Sequence, residues 1–234
     1  MNKNLPKDVS SSCVYCGGMA DTMDHIPPKS LFQKPRPPLI TVPACKRCNS
    51  EASLDDEYFR NALIIDHRIE KLQGTQQVRE AFKRSVRRSE APGLQNSLIN
   101  NLRRVSLISP TGLYKGQGGA LKFDFSRMSK VLIRIVKGLF FHELKRCLPS
   151  DCLITAHSPQ EMVNDFGAIN ASVKLVKEIK KKVTLENDLF SYGFVVWEDQ
   201  TNASFWMLQF YNTQVFFVST TPAQFDEKIS DHLH

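Results

Sequence analysis

Residues 13–50 carry three short blocks: CVYCGG at 13–18, DHIPPKS at 24–30 and VPACKRCNS at 42–50. Cys13 with Cys16 and Cys45 with Cys48 form two CxxC pairs, with 28 residues between them. Each pair makes a tight turn that aims two sulfurs at one ion, and Gly17 and Gly18 stand where such a knuckle needs turn residues. Four thiolates make a closed tetrahedral site whose softness favours zinc, so a structural metal is expected. The surrounding segment is rich in proline and turns and short of periodicity, and it can bury little by itself. Metal binding therefore supplies much of its folding energy.

Inside the loop between the pairs, Asp24 and His25 are adjacent, and Asn49 follows directly on Cys48. A carboxylate and an amide oxygen are hard donors suited to magnesium or another hard divalent ion. A neutral imidazole beside them suits proton abstraction from water. Taken alone, His25 reads as a loop histidine satisfied by backbone hydrogen bonds. Spacing and chemistry reach this far: a closed zinc site next to a second, open metal site.

On these blocks the chain resembles the HNH endonucleases, specifically the branch in which two CxxC pairs frame the site. The resemblance covers about 40 of the 234 residues. It implies a β-hairpin followed by a helix (the ββα-metal arrangement), with Cys13, Cys16, Cys45 and Cys48 as zinc ligands. It further implies Asp24 and Asn49 as ligands of a catalytic divalent ion such as Mg2+, and His25 as general base. The activity implied is hydrolysis of phosphodiester bonds in nucleic acid, with double-stranded DNA as the expected partner. Two positions depart from the family pattern. Thr41 is the one polar residue of LITV at 39–42 where the family often has Asn, and Ala52 stands where it commonly has Lys. The departures imply either a branch that uses an acidic residue such as Asp56 near the metal, or a zinc-finger-like module that binds nucleic acid without cutting it.

Working outward, the organisation expected is a short arm at 1–12, the zinc-bound module at 13–59 and a body at 60–234. Leu54, Tyr58, Ala62, Ile65, Ile69 and Leu72 recur at three and four residues, predicting one helix that ends at Gly74. A second helix is expected over 76–89, and a third begins at Pro92 with Leu94, Leu98, Leu102 and Val105 on its apolar side. LKFDF at 121–125 alternates as a strand. Ser126 is placed to cap a helix over 127–146, and another helix is expected near 160–180. Three strands at 189–197, 204–210 and 214–219 then form one antiparallel sheet packed on helices. The fold class is α+β. Cys147 and Cys152 read as ordinary thiols, and the aromatic residues of the closing strands as core.

The net charge is +7, and residues 60–110 contribute ten Lys or Arg against four Asp or Glu. Arg79, Lys83, Arg84, Arg87 and Arg88 form the densest group, at spacings that place several on one helix face suited to phosphate contacts. Lys130, Arg134 and Lys137 repeat the spacing, as a second phosphate face or as the outer side of a packed helix. The polar start of the chain and the absence of a long apolar run predict a cytoplasmic protein with no membrane span. A protein partner or a homodimer through the body is the remaining expectation.

Overall fold

The computed structural model describes residues 12–87, 99–109, 111–163, 165–185, 188–197 and 202–222. Strands β1 (Thr22–Ile26) and β2 (Ile40–Ala44) pair antiparallel, and helices α1 (Lys46–Glu51) and α2 (Ser53–Ile64) follow. Alternation along the hairpin puts Asp24 and Ile26 on the buried face with Val42 and Ala44, and His25 on the other face opposite Thr41.

Helix α2 ends sooner than its apolar spacing predicts. The chain turns at Asp66, whose carboxylate accepts the Arg68 N–H and caps a 3-10 turn over His67–Ile69. Ile69 is still fully buried, because the turn carries it back to the core, while Leu54 at the helix start is exposed. Helix α3 (Gln76–Arg87) follows. The helix expected from Pro92 fails at its far end. Leu102 and Val105 lie in β3 (Leu102–Ile108), which pairs with β4 (Tyr114–Leu121), and Leu94 and Leu98 fall outside the described residues.

Of LKFDF only Leu121 is in a strand, as the last residue of β4. Phe123 packs edge-on against Tyr58, Phe125 stacks on Phe216, and Asp124 between them caps the long helix α4 (Phe125–Leu144) by accepting the Ser126 N–H. The cap is therefore Asp124 rather than Ser126. The helix stops at Lys145, in the left-handed region at φ 56, close to the end expected at 146. Beyond it come β5 (Leu153–His157), α5 (Pro159–Met162), α6 (Phe166–Glu178), β6 (Lys182–Leu185), β7 (Phe190–Val196), β8 (Ser204–Phe210) and β9 (Gln214–Thr221). The helix expected near 160–180 is thus two helices, with Asp165 capping the second. The three predicted strands form the centre of a five-stranded antiparallel sheet in the order β5-β9-β8-β7-β6, whose edge strands β5 and β6 are additional to those predicted.

One core runs from the N-terminal hairpin to the sheet. It joins Val14, Ile26 and Val42 to Phe59, Leu132, Ile135 and Leu139, and onward to Trp206, Phe210 and Phe216. A boundary at residue 59 falls inside α2, whose Phe59 ring meets the Phe210 ring edge-on at 5.1 Å. Gly138 marks the tightest approach of α4 to the hairpin. A Cβ there would lie 2.5 Å from Ile26 Cγ1 and 2.7 Å from Cδ1, so only glycine admits Ile26 against the helix. Among the described residues no helix is long and apolar enough to cross a membrane.

Candidate metal centre and the adjoining cleft

The first cysteine knuckle closes by two backbone hydrogen bonds, Cys13 N–H to Gly18 O at 2.6 Å and Gly17 N–H to Cys13 O at 2.9 Å. Gly17 holds φ +73, a conformation that strains a side-chain-bearing residue. The second knuckle uses the helix start. Cys45 is the N-cap of α1, and its Sγ accepts the Cys48 N–H at 3.4 Å. The four sulfurs all lie within 4.8 Å of one another, and Cys16 Sγ stands 3.8 Å from Cys45 Sγ. A tetrahedral zinc with Zn–S bonds near 2.3 Å requires sulfur–sulfur edges of about 3.8 Å, so the cluster fits such an ion. Gly18's backbone N–H, and then the neighbouring thiols, bring Cys16 down to about 7, whereas burial pushes Cys48 up. The cluster can hold a metal such as zinc, and four ligands close it.

Beside it, a cleft of about 450 Å³ lies over the hairpin and the two helices and is lined by Asp24, His25, Lys29, Asn49, Asp56 and Arg60 among others. The structure therefore brings the three sequence-predicted residues Asp24, His25 and Asn49 to one cavity, although Asp24 and His25 alternate on the strand. His25 is half-buried. Burial and then the Lys29 charge lower its imidazole pKa, with Asp24 pulling the other way and Arg36 adding to the drop. The imidazole is consequently neutral at pH 7. Asn49 uses its amide nitrogen to hold α1 to β1, donating to Thr22 Oγ1 and to Met23 O at 3.3 Å each. Its oxygen is left as an acceptor.

The buried residue behind the cleft is Asp24, and its partners come from distant parts of the chain. Oδ1 accepts the His25 backbone N–H at 2.8 Å, and Oδ2 accepts the Tyr15 hydroxyl at 2.6 Å and Arg134 Nη2 at 2.5 Å. Arg134 Nη1 also reaches both Asp56 oxygens at 3.1 Å, so one guanidinium bridges two carboxylates. Its plane stands over the Tyr15 ring at 5.3 Å. Burial raises Asp56 to about 6 against the pull of Arg134, with Asp24 raising it further. Burial first, then the Asp24 charge, push the Tyr15 phenol up. Burial opposes the Arg134 charge, but Asp24 and Asp56 more than restore it.

Spacing groups Arg134 with Lys130 and Lys137 on an outer row, and the structure separates it from them functionally. Its side chain is turned to the acids and only 12% exposed. The available signal is its setting in VLIRIV at 131–136, since a charge inside so apolar a run has to be paired. Tyr15, between the first two cysteines, has no such signal. Of the basic group on α3, Arg79 is held by Glu70 at 3.2 Å and Lys83 by Glu80 at 3.0 Å. Arg84 and Arg87 are exposed, and Arg88 lies outside the described residues. Two of the four described cations of the group are therefore already paired. Compared with protein-family models, with curated proteins and with solved structures, the chain matches none of them.

Proposed function

We propose that this protein is a metal-dependent endonuclease of the HNH type, with His25 as its general base and double-stranded DNA as its substrate. The observation that carries the reading is one cleft that gathers a neutral imidazole, a carboxylate and an amide oxygen beside a four-cysteine centre, on a hairpin followed by a helix. Asp24 and Asn49 would hold the divalent ion. Their donors are of the hard oxygen kind such an ion takes. The pair of acids Asp24 and Asp56 shares one guanidinium, which leaves a surplus of one negative charge when both are ionised. When bound, the cation supplies neutralisation of the charge that develops on the phosphate.

The chain's own residues do the rest. His25 accepts the proton of a water as that water attacks phosphorus in line with the leaving 3′ oxygen, a contribution of about 10²–10⁴ in rate. Asp24 orients the backbone at His25 through its contact with the His25 N–H. Lys29 lines the same cleft and provides positive charge for the phosphate backbone, while Arg60, which also lines it, is paired with Glu57 at 3.2 Å. The zinc-type centre keeps α1, and with it Asn49, in place without touching the substrate.

The test is a plasmid-nicking assay of wild type and His25→Ala with magnesium and manganese. Loss of cleavage with one zinc per chain retained is expected. Full cleavage by the variant would remove His25 from the mechanism. A noncatalytic nucleic-acid binder is the second reading, and the Asp24–Arg134 ion pair favours it, because the carboxylate already has a cationic partner. Zinc at one per chain, DNA binding and no cleavage with any divalent ion would select it.

A further inference from the structure

The ribbon β3–β4 is the one sheet among the described residues that lacks a covering layer. All seven residues of β3 are exposed, on both faces, and the two strands pair only with each other. An isolated two-stranded ribbon in water is marginally stable at best, so a partner is expected to complete it. Residues 99–122 carry Arg103, Arg104, Lys115 and Lys122 and contain no Asp or Glu. That is +4 on a solvent-exposed element, a larger imbalance than α3 keeps once Glu70 and Glu80 have taken Arg79 and Lys83.

The ladder sorts its side chains. Arg104 stands across from Gly119, and Ser106 across from Gln117, so Arg104, Ser106 and Gln117 share one face. The other face pairs Arg103 with Ala120, Val105 with Gly118 and Leu107 with Gly116. The glycines thin the ribbon. Leu107 leans over Gly118, where a Cβ would come within 3.0 Å of it, and Leu102 leans over Gly119 at the same distance. Arg104 is exposed, and the glycine across from it carries no side chain of its own, only the Leu102 side chain of the same face leaning over it.

We infer that the β3–β4 ribbon is a docking element for B-form DNA, entering the major groove with Arg104, Ser106 and Gln117 toward the base edges. This rests on the reading of the His25 cleft as a phosphodiesterase site for the nature of the partner, and it names the element that holds the substrate. The charge complementarity is direct: four cations and no anion against a polyphosphate. The shape agrees, since a ribbon with strands about 4.8 Å apart enters a groove about 12 Å wide. The deep, narrow major groove of A-form RNA excludes it. Arg, Gln and Ser are side chains that read base edges, and Arg103 on the opposite face is placed for backbone phosphate.

The test is fluorescence anisotropy of a labelled 20-bp DNA duplex with the zinc-loaded full chain, without added divalent cation, over a salt series. Arg103→Ala/Arg104→Ala is compared with Lys174→Ala/Lys180→Ala, which removes the same charge from the exposed surface of the sheet side. The ribbon variant is expected to weaken binding about tenfold or more and to flatten the salt slope by about 2. The control should change neither, and Arg103→Lys/Arg104→Lys should recover the slope. Equal loss in the control, no loss in the ribbon variant, or equal arginine-dependent binding of an RNA duplex would overturn the inference. So would an absence of duplex binding by wild type, or a dimer by light scattering that the ribbon variant dissolves. The two readings separate: binding lost in the ribbon variant without any cleavage by wild type sinks the nuclease alone, and cleavage with ribbon-independent affinity sinks the ribbon alone.

Discussion

Replacing Arg134 by Met removes the cation that the buried Asp24 and the half-buried Asp56 share, while keeping most of the volume and the apolar stem. Asp24 is 8% exposed and Asp56 17% exposed in their side chains, so neither can turn to water for compensation without disturbing the hairpin or α2. Breaking a buried pair from one side costs about 3–5 kcal/mol, a large share of the roughly 5–15 kcal/mol that holds a typical domain together. The loss should depend on pH with a definite sign. Asp56 already sits near 6 in the folded protein against 3.8 for an ordinary aspartate, so it binds a proton more readily folded than unfolded. Its protonated form favours the fold below about 3.8, and that contribution fades as pH rises through about 6. Without the guanidinium, which lowers Asp56, the folded value moves higher and the fading moves with it. The Arg134→Met deficit should therefore be largest near pH 8 and shrink toward pH 5. Urea unfolding followed by the fluorescence of the buried Trp206 measures it, and adding Asp56→Asn to the Arg134→Met variant should return part of the loss at pH 8. A deficit under about 1 kcal/mol at pH 8, or one that does not change between pH 5 and 8, would show that Arg134 is not neutralising the acids.

Gly138→Ala places a methyl within 2.7 Å of Ile26 Cδ1 and should cost about 1–3 kcal/mol of overpacking, despite the better helix propensity of alanine, seen as a fall in Tm of about 2–4 °C per kcal/mol. Cys45→Ser removes a sulfur of the cluster and weakens the cap on α1, so zinc content should fall below one per chain and the N-terminal hairpin should lose its protection from hydrogen exchange. The pH profile of cleavage should have its acid limb below the ordinary histidine value of 6.5, because burial and Lys29 lower His25 and a base works only when deprotonated. A limb above 6.5 would separate that titration from His25.

What the sequence made readable was what local spacing controls. Two CxxC pairs locate their own sulfurs because each turn is four residues long, and the cluster assembles as the spacing implies. The closing strands were readable because Phe190, Trp206 and Phe216 are fixed by a two-residue period against the core. Helix ends failed where a polar side chain competed with the apolar period: Asp66 stops α2 and Asp124 starts α4 before the pattern expects either. Leu102 and Val105 failed for another reason. Their spacing of three fits a helix, but the glycines of 116–119 are cross-strand partners that only the ladder reveals. Arg134 lies 110 residues from Asp24, and no period connects them.

That last separation bears on what the N-terminal segment is. Residues 13–59 carry every cysteine of the cluster and the three residues proposed for catalysis, yet they cannot complete their own interior. Ile26 is seated against Gly138, Phe59 against Phe210, and Asp24 is neutralised by Arg134, and each of those partners belongs to the body. Leu31 O, in the loop between β1 and β2, takes the hydroxyl of the buried Tyr211 at 2.8 Å, a contact spanning 180 residues. A metal can tie two knuckles together, but it supplies neither a counter-charge for a buried aspartate nor a surface to cover an isoleucine. The geometry of the cleft is thus a property of the whole chain. Helix α4 acts on the His25 side through the Arg134 guanidinium at Asp24 and through Gly138 against Ile26, and the same guanidinium lies over Tyr15 within the first cysteine knuckle.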